Sequence, residues 1–323
     1  MKKTWMVTGC AGFLGHHIVK KLLQKNVKVI GVDNLAWGSR KNMANFIESK
    51  NFIFENQDIL NVEKIDDIFK RYCPNVIVHL SALHFIPWAS QDPEKTISIN
   101  ILGTQIILSA ATKNNVEAFW FASTGDVYFP SENSHKEEDE TSPNNIYGLS
   151  KLTGEKLIEI ESKRNPKIKF IIGRLFNLYG EGETNPHIIP EIISQLKKGR
   201  PFKLSLGNIW PKRDFVPVSE AAESVIKMVE NAKSAFTLAN LATGNARSIE
   251  DLIHEIESIL DEKIHVEQDP SKLRAVERPH LQADVSKLKN LIGQTPSSKT
   301  KDDLISLLVE ENILQKNAKL KTA

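Results

Sequence analysis

A glycine-rich turn near the N-terminus constrains the fold of this chain more than any other segment. A short apolar segment, Thr4 to Thr8, leads into this turn, and helical periodicity follows it to about Gln24. Glycines between a strand and a helix permit a tight turn and let a phosphate approach the backbone, where the helix N-terminus attracts its charge. The pattern therefore predicts a strand-turn-helix unit that binds a dinucleotide, although such turns also occur without a ligand. The candidate binding residues of the turn are Gly9, Gly12, Phe13, Leu14 and Gly15.

An acidic residue ends the second apolar segment. Val27 to Val32 leads to Asp33, which lies 18 residues after Gly15. A carboxylate at this distance can accept hydrogen bonds from the adenosine ribose and repels a 2′-phosphate, which favours NAD over NADP. A turn or helix-capping role for Asp33 stays open, because Asn34 is also nearby.

Strand and helix patterns alternate over the first 128 residues. Further strands are predicted at Phe52 to Asn56, Val76 to Leu80 and Ala118 to Ala122, and a helical segment at Pro93 to Asn114. Continuously apolar strands separated by helices are typical of a doubly wound parallel sheet, whose ligands bind beyond the carboxyl ends of the strands. The further candidate cofactor contacts at these ends are Asn34, Asp58, Ile59, Leu80, Ser81 and Ala82.

A tyrosine and a lysine are placed for acid-base chemistry. Tyr147 and Lys151 lie four residues apart at the start of an amphipathic segment that runs to about Lys163. One helical turn puts both side chains on the same face. A lysine ammonium beside a phenol favours the phenolate and lowers its pKa from about 10 towards neutrality. Alone, such a pair is common on protein surfaces, but here the glycine turn and the segment Ser123 to Tyr128 precede it.

The regular alternation gives way to turn-rich sequence after Arg174. We predict an NAD-binding domain of residues 1–174 plus about 212–244. A smaller C-terminal α/β domain for the substrate is predicted from about 175–211 plus 245–323. The loops around residues 84–90, 177–189 and 204–213 are expected to determine substrate choice.

Three local features are also predicted. Ser219 and Ser248 each precede an amphipathic segment and are expected to cap a helix. The acidic segment Glu132 to Pro143 is expected to be a solvated loop.

Composition excludes several classes of protein. The 42 basic and 40 acidic residues are interspersed and give a net charge of +2, so no basic stripe indicates nucleic acid binding. No apolar run reaches the roughly 18 residues that a membrane span needs. Two distant cysteines, Cys10 and Cys73, suit a reducing compartment, and we expect a cytoplasmic protein. No metal is expected, because the histidines and cysteines do not show metal-ligand spacing. These histidines are His16, His17, His79 and His84.

In order and spacing, these motifs resemble the extended short-chain dehydrogenase/reductases, specifically the NAD-dependent nucleotide-sugar epimerases and dehydratases. The resemblance covers nearly the whole chain and is strongest to enzymes of the UDP-glucose 4-epimerase type. The residues that carry it are Thr8, Gly9, Gly12, Gly15, Asp33, Asp58, Asn100, Thr124, Val127, Tyr128, Tyr147, Lys151, Arg174, Asn177, Arg213, Asp214, Phe215, Arg278, Pro279 and Asp284. It implies a Rossmann-like sheet, bound NAD, and Asn100 among the cofactor ligands.

The resemblance also implies a mechanism in which the sugar is oxidised transiently at C4. Tyr147 would remove the proton of the C4 hydroxyl, Lys151 would stabilise the phenolate and bridge to the nicotinamide ribose, and Thr124 would hydrogen-bond the new ketone oxygen. Hydride transfer needs such a base and such a donor, both held close to the reacting atoms.

The implied substrate is a nucleoside diphosphate sugar. Arg213 and Arg278 are the candidate ligands of the diphosphate, since guanidinium groups bind phosphate oxygens bidentately. Asn177 matches the family's diphosphate-binding asparagine, and His84 lies in a loop that shapes the sugar site. Alternatives stay open: Arg213 could pair with Asp214, Arg274 could replace Arg278, and His84 could serve packing.

The residues at positions 125 and 126 distinguish 4-epimerases from dehydratases within the resembling family. The resembling dehydratases follow the threonine with acidic residues that act at C5 and C6 of the sugar, whereas 4-epimerases have small neutral residues there. This chain has Gly125 and Asp126. We expect 4-epimerisation, with dehydration or another reaction that begins at C5 as the alternative, in which Asp126 would be the base. A catalytically silent NAD-binding sensor is an alternative of another class.

A homodimer is expected from the resemblance. The helix that contains Asn100 and the helix that follows Tyr147 would pair with their copies in a four-helix bundle.

Overall fold

The computed structural model describes residues 3–183, 185–273, 277–297 and 300–314. The strands are β1 (Thr4–Thr8), β2 (Lys28–Val32), β3 (Phe52–Glu55), β4 (Val76–His79), β5 (Ala118–Thr124), β6 (Lys169–Leu175), β7 (Asn177–Tyr179), β8 (Lys203–Leu206), β9 (Lys212–Pro217), β10 (Phe236–Leu241), β11 (Ala246–Ser248), β12 (His265–Gln268) and β13 (His280–Leu281).

The helices lie between these strands or, for the last two, after the final strand. They are α1 (Phe13–Gln24), α2 (Arg40–Met43), α3 (Val62–Tyr72), α4 (Ile86–Gln91), α5 (Pro93–Ile97), α6 (Thr104–Lys113), α7 (Ile146–Arg164), α8 (Ile188–Leu196), α9 (Val218–Asn231), α10 (Ile249–Leu260), α11 (Ser286–Ile292) and α12 (Thr300–Glu310). A π-helical segment, Ser98–Gly103, joins α5 to α6, so the predicted helix from Pro93 to Asn114 is continuous but locally widened.

A seven-stranded parallel sheet forms the centre of the molecule, with the strand order β10-β6-β5-β4-β1-β2-β3. The chain winds outwards from β1 in one direction and from β4 in the other. In such sheets, ligands bind where the winding direction changes, beyond the carboxyl ends of the two central strands. The predicted Rossmann-like α/β fold is confirmed, and its switch point lies between β1 and β4.

Apolar side chains cover both faces of this sheet. One face packs against α1 and α9, for example through Ile18 and Val225, and the other packs against α3 and α6 through Ile68 and Leu108. All seven residues of β5 are buried, as expected for a central strand covered on both sides.

The C-terminal part of the chain adds two small sheets. Strands β11, β9 and β13 pair in that order with β7 beside β9, and β12 pairs with β8. A third apolar cluster, which includes Leu196, Leu252 and Leu308, packs α8, α10 and α12 together. Within the segment 212–244, β10 is a strand of the large sheet and α9 packs on the face of that sheet, whereas β9 belongs to a small sheet. The domain boundaries stay a prediction.

The local predictions had mixed outcomes. Ser248 caps α10 in a reciprocal pair of bonds with Asp251, of 3.0 Å and 2.8 Å, as predicted. The cap at Ser219 was wrong, because α9 already begins at Val218. Arg274 and residues 315–323 lie outside the described part of the chain.

The acidic segment Glu132 to Pro143 is not fully solvated. His135 and Glu137 are buried within it. The Glu137 carboxylate accepts a 2.8 Å hydrogen bond from the Asn240 backbone amide in β10, so a sheet donor holds it inside the fold.

Among the described helices, we find none that combines the length and apolarity needed to cross a lipid bilayer.

Candidate active site

The turn between β1 and α1 accepts only glycine where the backbones of its two ends approach each other. Gly9 has a φ of +71°, a left-handed conformation that L side chains rarely adopt. A Cβ atom at Gly15 would lie 2.0 Å from the Gly9 carbonyl oxygen. Gly12, the N-cap residue of α1, has no side chain to cap the helix, which leaves backbone N–H groups at this end for a ligand.

Asp33 supports this turn directly. Its carboxylate accepts hydrogen bonds from the backbone amides of Ala11, at 3.0 Å, and Leu35, at 2.8 Å. Burial raises the pKa of Asp33, and these two bonds oppose that effect. The turn role that the sequence left open is therefore present. Since each carboxylate oxygen has a second lone pair, the ribose role is compatible with it.

Asn34 and Asp58 lie next to each other near the carboxyl ends of β2 and β3. The Asn34 side-chain amide donates to the Asp58 carboxylate at 2.8 Å, which also accepts from the Leu60 backbone amide. Both residues line the cavity, where the sequence predicts the adenosine half of the cofactor.

The candidate catalytic groups come from β5 and α7. Thr124 ends β5, and its hydroxyl accepts a 3.2 Å hydrogen bond from the Asp126 backbone amide. Asn145 caps α7 by accepting from the Gly148 amide at 2.8 Å. A Cβ atom at Gly148 would lie 2.6 Å from the Asp126 carbonyl oxygen, so glycine lets the first turn of α7 approach the end of β5. The Tyr147 side chain consequently lies near the Thr124 hydroxyl, and both residues line the same cavity.

Lys151 follows Tyr147 by one turn of α7 and is buried. Its ammonium nitrogen lies 4.9 Å from the centre of the Phe121 ring. Burial lowers the pKa of Lys151 from 10.5 to about 7.

The pKa of Tyr147 is shifted in the direction opposite to the prediction. Burial raises it most, repulsion from Asp126 raises it further, and the hydrogen bond with Thr124 offsets only part of this. The sequence argument considered the Tyr147-Lys151 spacing alone. It could not include the desolvation that burial in the folded protein imposes on both groups.

One cavity of ≈ 1000 Å³ collects nearly all the predicted site residues. The cofactor residues that line it are Gly9, Gly12, Phe13, Leu14, Gly15, Asp33, Asn34, Asp58, Ile59, Leu80, Ser81 and Ala82. The other predicted residues that line it are Thr124, Asp126, Tyr147, Lys151, His84, Asn177, Arg213 and Arg278. The glycine turn, the uncapped N-terminus of α1 and the carboxylates of Asp33 and Asp58 in the cavity wall fit a dinucleotide.

Asn100 lies behind the cavity wall and is not among the lining residues. Its side chain pairs with the backbone of Leu83 in both directions, at 2.8 Å and 3.0 Å, and donates to Ser150 at 2.9 Å. It therefore holds the loop after β4 against α7, and the structure gives it a supporting position instead of a direct place in the cavity.

The two predicted diphosphate ligands differ in their surroundings. Arg213 forms a 3.0 Å ion pair with Glu277, whereas Asp214 accepts from the backbone amides of Thr243 and Gly244. The suggested Arg213-Asp214 pair is therefore replaced by Arg213-Glu277. Glu277 itself lines the cavity, and no sequence signal had marked it.

Arg278 braces the turn that follows β5. Its guanidinium donates to the carbonyl oxygens of Gly125, at 3.3 Å, and Tyr128, at 3.1 Å, and lies 3.8 Å from the Asp126 carboxylate. A cation here can bind phosphate and also fixes the position of Asp126.

Sequence spacing missed a cluster of possible metal ligands. His84 lies beside Glu183 and His187, and one ligand atom from each lies within 4.8 Å of the others. The expectation of no metal compared histidines and cysteines along the chain and did not consider this set, whose residues come from two distant loops. That expectation stays a prediction. The signal available was weak: residues 177–189 were expected to shape the substrate site.

Comparison with known proteins places this geometry in a family. The model of the NAD dependent epimerase/dehydratase family matches residues 5–241. A putative UDP-glucose 4-epimerase of Methanocaldococcus jannaschii is 33% identical over 263 residues, 78% of this chain and 82% of that protein.

Two solved structures share the whole architecture. The UDP-N-acetylglucosamine 4-epimerase of Methanobrevibacter ruminantium M1, in complex with UDP-N-acetylmuramic acid, is 26% identical with a TM-score of 0.86 and covers 96% of this chain and 100% of that one. The UDP-glucuronic acid 4-epimerase of Bacillus cereus, in complex with UDP-glucuronic acid and NAD, is 25% identical with a TM-score of 0.85 and covers 96% of this chain and 98% of that one. The family-model match and the similar proteins show that this chain is an NAD-dependent enzyme that belongs to the NAD dependent epimerase/dehydratase family.

Proposed function

We propose that this protein is a nucleotide-sugar 4-epimerase that acts through a transient 4-keto sugar. The observation that carries the proposal is that Thr124, Tyr147 and Lys151 line one cavity together with the glycine turn after β1. Tyr147 takes the proton of the C4 hydroxyl, and Thr124 donates to the oxygen that becomes the ketone. In its protonated form, Lys151 stabilises the phenolate against the burial and the Asp126 charge that raise the pKa of Tyr147. Bound NAD supplies a reversible hydride acceptor for C4.

The packing around Gly125 favours epimerisation over dehydration. A Cβ atom at this position would lie 3.2 Å from the Phe176 ring and 3.4 Å from Leu281. An acidic side chain there would begin against an apolar wall. Epimerisation at C4 needs no acid at this position, because the 4-keto sugar only rotates in the site and accepts the hydride on its opposite face.

Asp126 supports the alternative, a 4,6-dehydratase or another enzyme that removes the C5 proton. Its carboxylate lines the cavity close enough to Tyr147 to raise the pKa of the phenol. The ion pair with Arg278 argues for a supporting role instead, since it holds the carboxylate at the turn.

The proposed substrate is a nucleoside diphosphate sugar, with UDP-sugars as the first to test because the matched epimerases act on them. Arg213, Arg278 and Asn177 line the same cavity as the acid-base pair and would bind the diphosphate.

A homodimer is part of the proposal. Exposed apolar side chains lie on the two helical segments that were expected to pair: Ile97 and Leu102 on one, Leu149 and Ile160 on the other. Light scattering after size exclusion should give twice the chain mass, and Leu102→Glu should give monomers. A cytoplasmic location remains a prediction from the cysteine content.

The first experiment incubates the purified protein in D2O with UDP-, CDP-, GDP- and dTDP-sugars and identifies the products by NMR. A C4 epimer without deuterium at carbon supports the proposal. Deuterium at C5 or a 4-keto-6-deoxy product would assign the alternative and make Asp126 the base. No reaction, together with tightly bound NAD, would favour a silent NAD-binding sensor.

A further inference from the structure

We propose that His84, Glu183 and His187 form a binding site for a divalent transition-metal cation of the Zn²⁺ or Co²⁺ class. The three side chains line the cavity that also contains Tyr147 and Lys151. The inference goes beyond the proposed function and does not depend on it, because cation binding can be measured without a substrate.

Each ligand is supplied by a different local structure. His84 lies in the loop after β4, Glu183 in the loop after β7, and His187 is the N-cap residue of α8. The rings of His84 and His187 are stacked with their centres 6.1 Å apart, and Phe85 packs edge-on against His187 at 5.3 Å. The two imidazoles are therefore held in position by aromatic packing before any ligand arrives.

The donor atoms are close to the spacing that a cation requires. Bond lengths of about 2.0 to 2.2 Å in a tetrahedral zinc site place neighbouring ligand atoms about 3.3 Å apart. The three atoms here lie within 4.8 Å of one another. Small side-chain rotations in the two loops can close this difference.

Asn185 marks the point on which two of the three ligand residues converge. Its side-chain amide nitrogen lies 3.0 Å from Nε2 of His84 and 3.4 Å from Oε1 of Glu183. An N–H₂ group is electropositive and can donate one hydrogen to each of these acceptors. The amide thus occupies, between two ligand atoms, a position that a cation could take.

The tautomer of His84 suits metal binding. The Asn185 amide nitrogen can only donate, so Nε2 of His84 accepts from it and Nδ1 carries the proton. The lone pair of Nε2 therefore points towards the position of the proposed cation, as in metal-binding histidines that ligate through one ring nitrogen and keep the proton on the other.

Chemistry selects the class of cation. Two imidazoles and one carboxylate are borderline ligands that suit Zn²⁺, Co²⁺ or Fe²⁺ better than Mg²⁺ or Ca²⁺, which prefer oxygen ligands alone. Sites with two histidines and one glutamate keep a coordination position open. That position would face the cavity, and the bound site would carry a net charge of +1 towards an anionic substrate.

The test uses untagged, chelator-treated full-length protein. Co²⁺ is titrated while its visible absorption spectrum is recorded, and Zn²⁺ is titrated by calorimetry. We expect about one ion per chain and a loss of affinity of more than about tenfold in His84→Ala and in His187→Ala. Glu183→Gln keeps the size of the side chain and should weaken binding as well. It tests the proposal even if one of the alanine variants unfolds.

The matched control is His265→Ala. His265 lies 3.2 Å from Glu267 on β12, a pair of exposed donors away from the cavity. This variant should bind Co²⁺ like the original protein. The proposal is overturned if Co²⁺ and Zn²⁺ show no saturable binding, or if binding persists in the His84, His187 and Glu183 variants. Those residues would then form a hydrogen-bonded cluster only.

Discussion

The guanidinium group of Arg278 lies 3.8 Å from the carboxylate of Asp126. This contact joins a candidate phosphate ligand to the residue on which the choice between epimerisation and C5 chemistry depends. Arg278 also donates to the carbonyl oxygens of Gly125 and Tyr128, so it stays in place without Asp126.

The first prediction therefore concerns Asp126→Asn. For a 4-epimerase, we expect kcat to fall by no more than about threefold, because the amide keeps the shape of the side chain and no proton is taken at C5. Steady-state kinetics with the sugar identified by NMR provides the measurement. A loss of about a hundredfold or more would show that Asp126 takes part in the chemistry.

Tyr147→Phe should abolish turnover and leave NAD bound. The ring still fills the wall beside Thr124, whereas the proton acceptor is gone, and loss of a general base costs about 10² to 10⁴ in rate. Activity is measured alongside the cofactor content of the denatured protein. If the variant retains more than a tenth of the original kcat, Tyr147 is not the base.

Glu277→Gln should tighten the binding of UDP. Glu277 pairs with Arg213 at 3.0 Å inside the cavity, where its charge opposes a diphosphate. Removal of that charge should lower the Kd about fivefold, or about 1 kcal/mol in binding free energy. Calorimetric titration with UDP measures this, with the exposed Glu267→Gln as the control. Unchanged or weaker binding would remove Arg213 from the diphosphate site.

The stability of the cofactor-free protein should depend on pH through Lys151. Burial lowers the pKa of Lys151 from 10.5 to about 7, so between these values the unfolded chain holds a proton that the folded chain does not. The free energy of unfolding should therefore rise with pH, by about 2 kcal/mol between pH 7 and pH 9 relative to Lys151→Met. Urea denaturation at several pH values measures this difference. Parallel curves for the two proteins would contradict the shift.

Glu155→Gln should destabilise the fold. Arg174 donates to both carboxylate oxygens of Glu155, at 2.9 Å and 2.7 Å, and both side chains are buried. Loss of one partner leaves a buried charge without its counter-ion, which costs about 3 to 5 kcal/mol. The double variant Glu155→Met with Arg174→Met should recover most of this in thermal unfolding. No recovery would mean that the single variant fails for another reason.

The sequence by itself determined the fold class, the NAD cofactor and the glycine turn, and it placed Tyr147 and Lys151 on one face of a helix, where their catalytic role stays a prediction. These depend on local features: Gly9 and Gly15 because no side chain fits the turn, Asp33 because it ends a strand at a fixed distance, and Tyr147 with Lys151 because one helical turn aligns them. Local geometry is encoded by neighbours along the chain, so it can be predicted from them.

Only the tertiary structure decided which distant residues meet. Glu277 pairs with Arg213 across 64 positions, Arg278 reaches back to Asp126, and the loops that carry His84 and His187 converge. Burial, which raises the pKa of Tyr147 and lowers that of Lys151, likewise arises only when the wall of the cavity closes around both groups. Such contacts and desolvation depend on packing between segments that no spacing rule relates, and the electrostatics of the site is therefore a property of the folded chain.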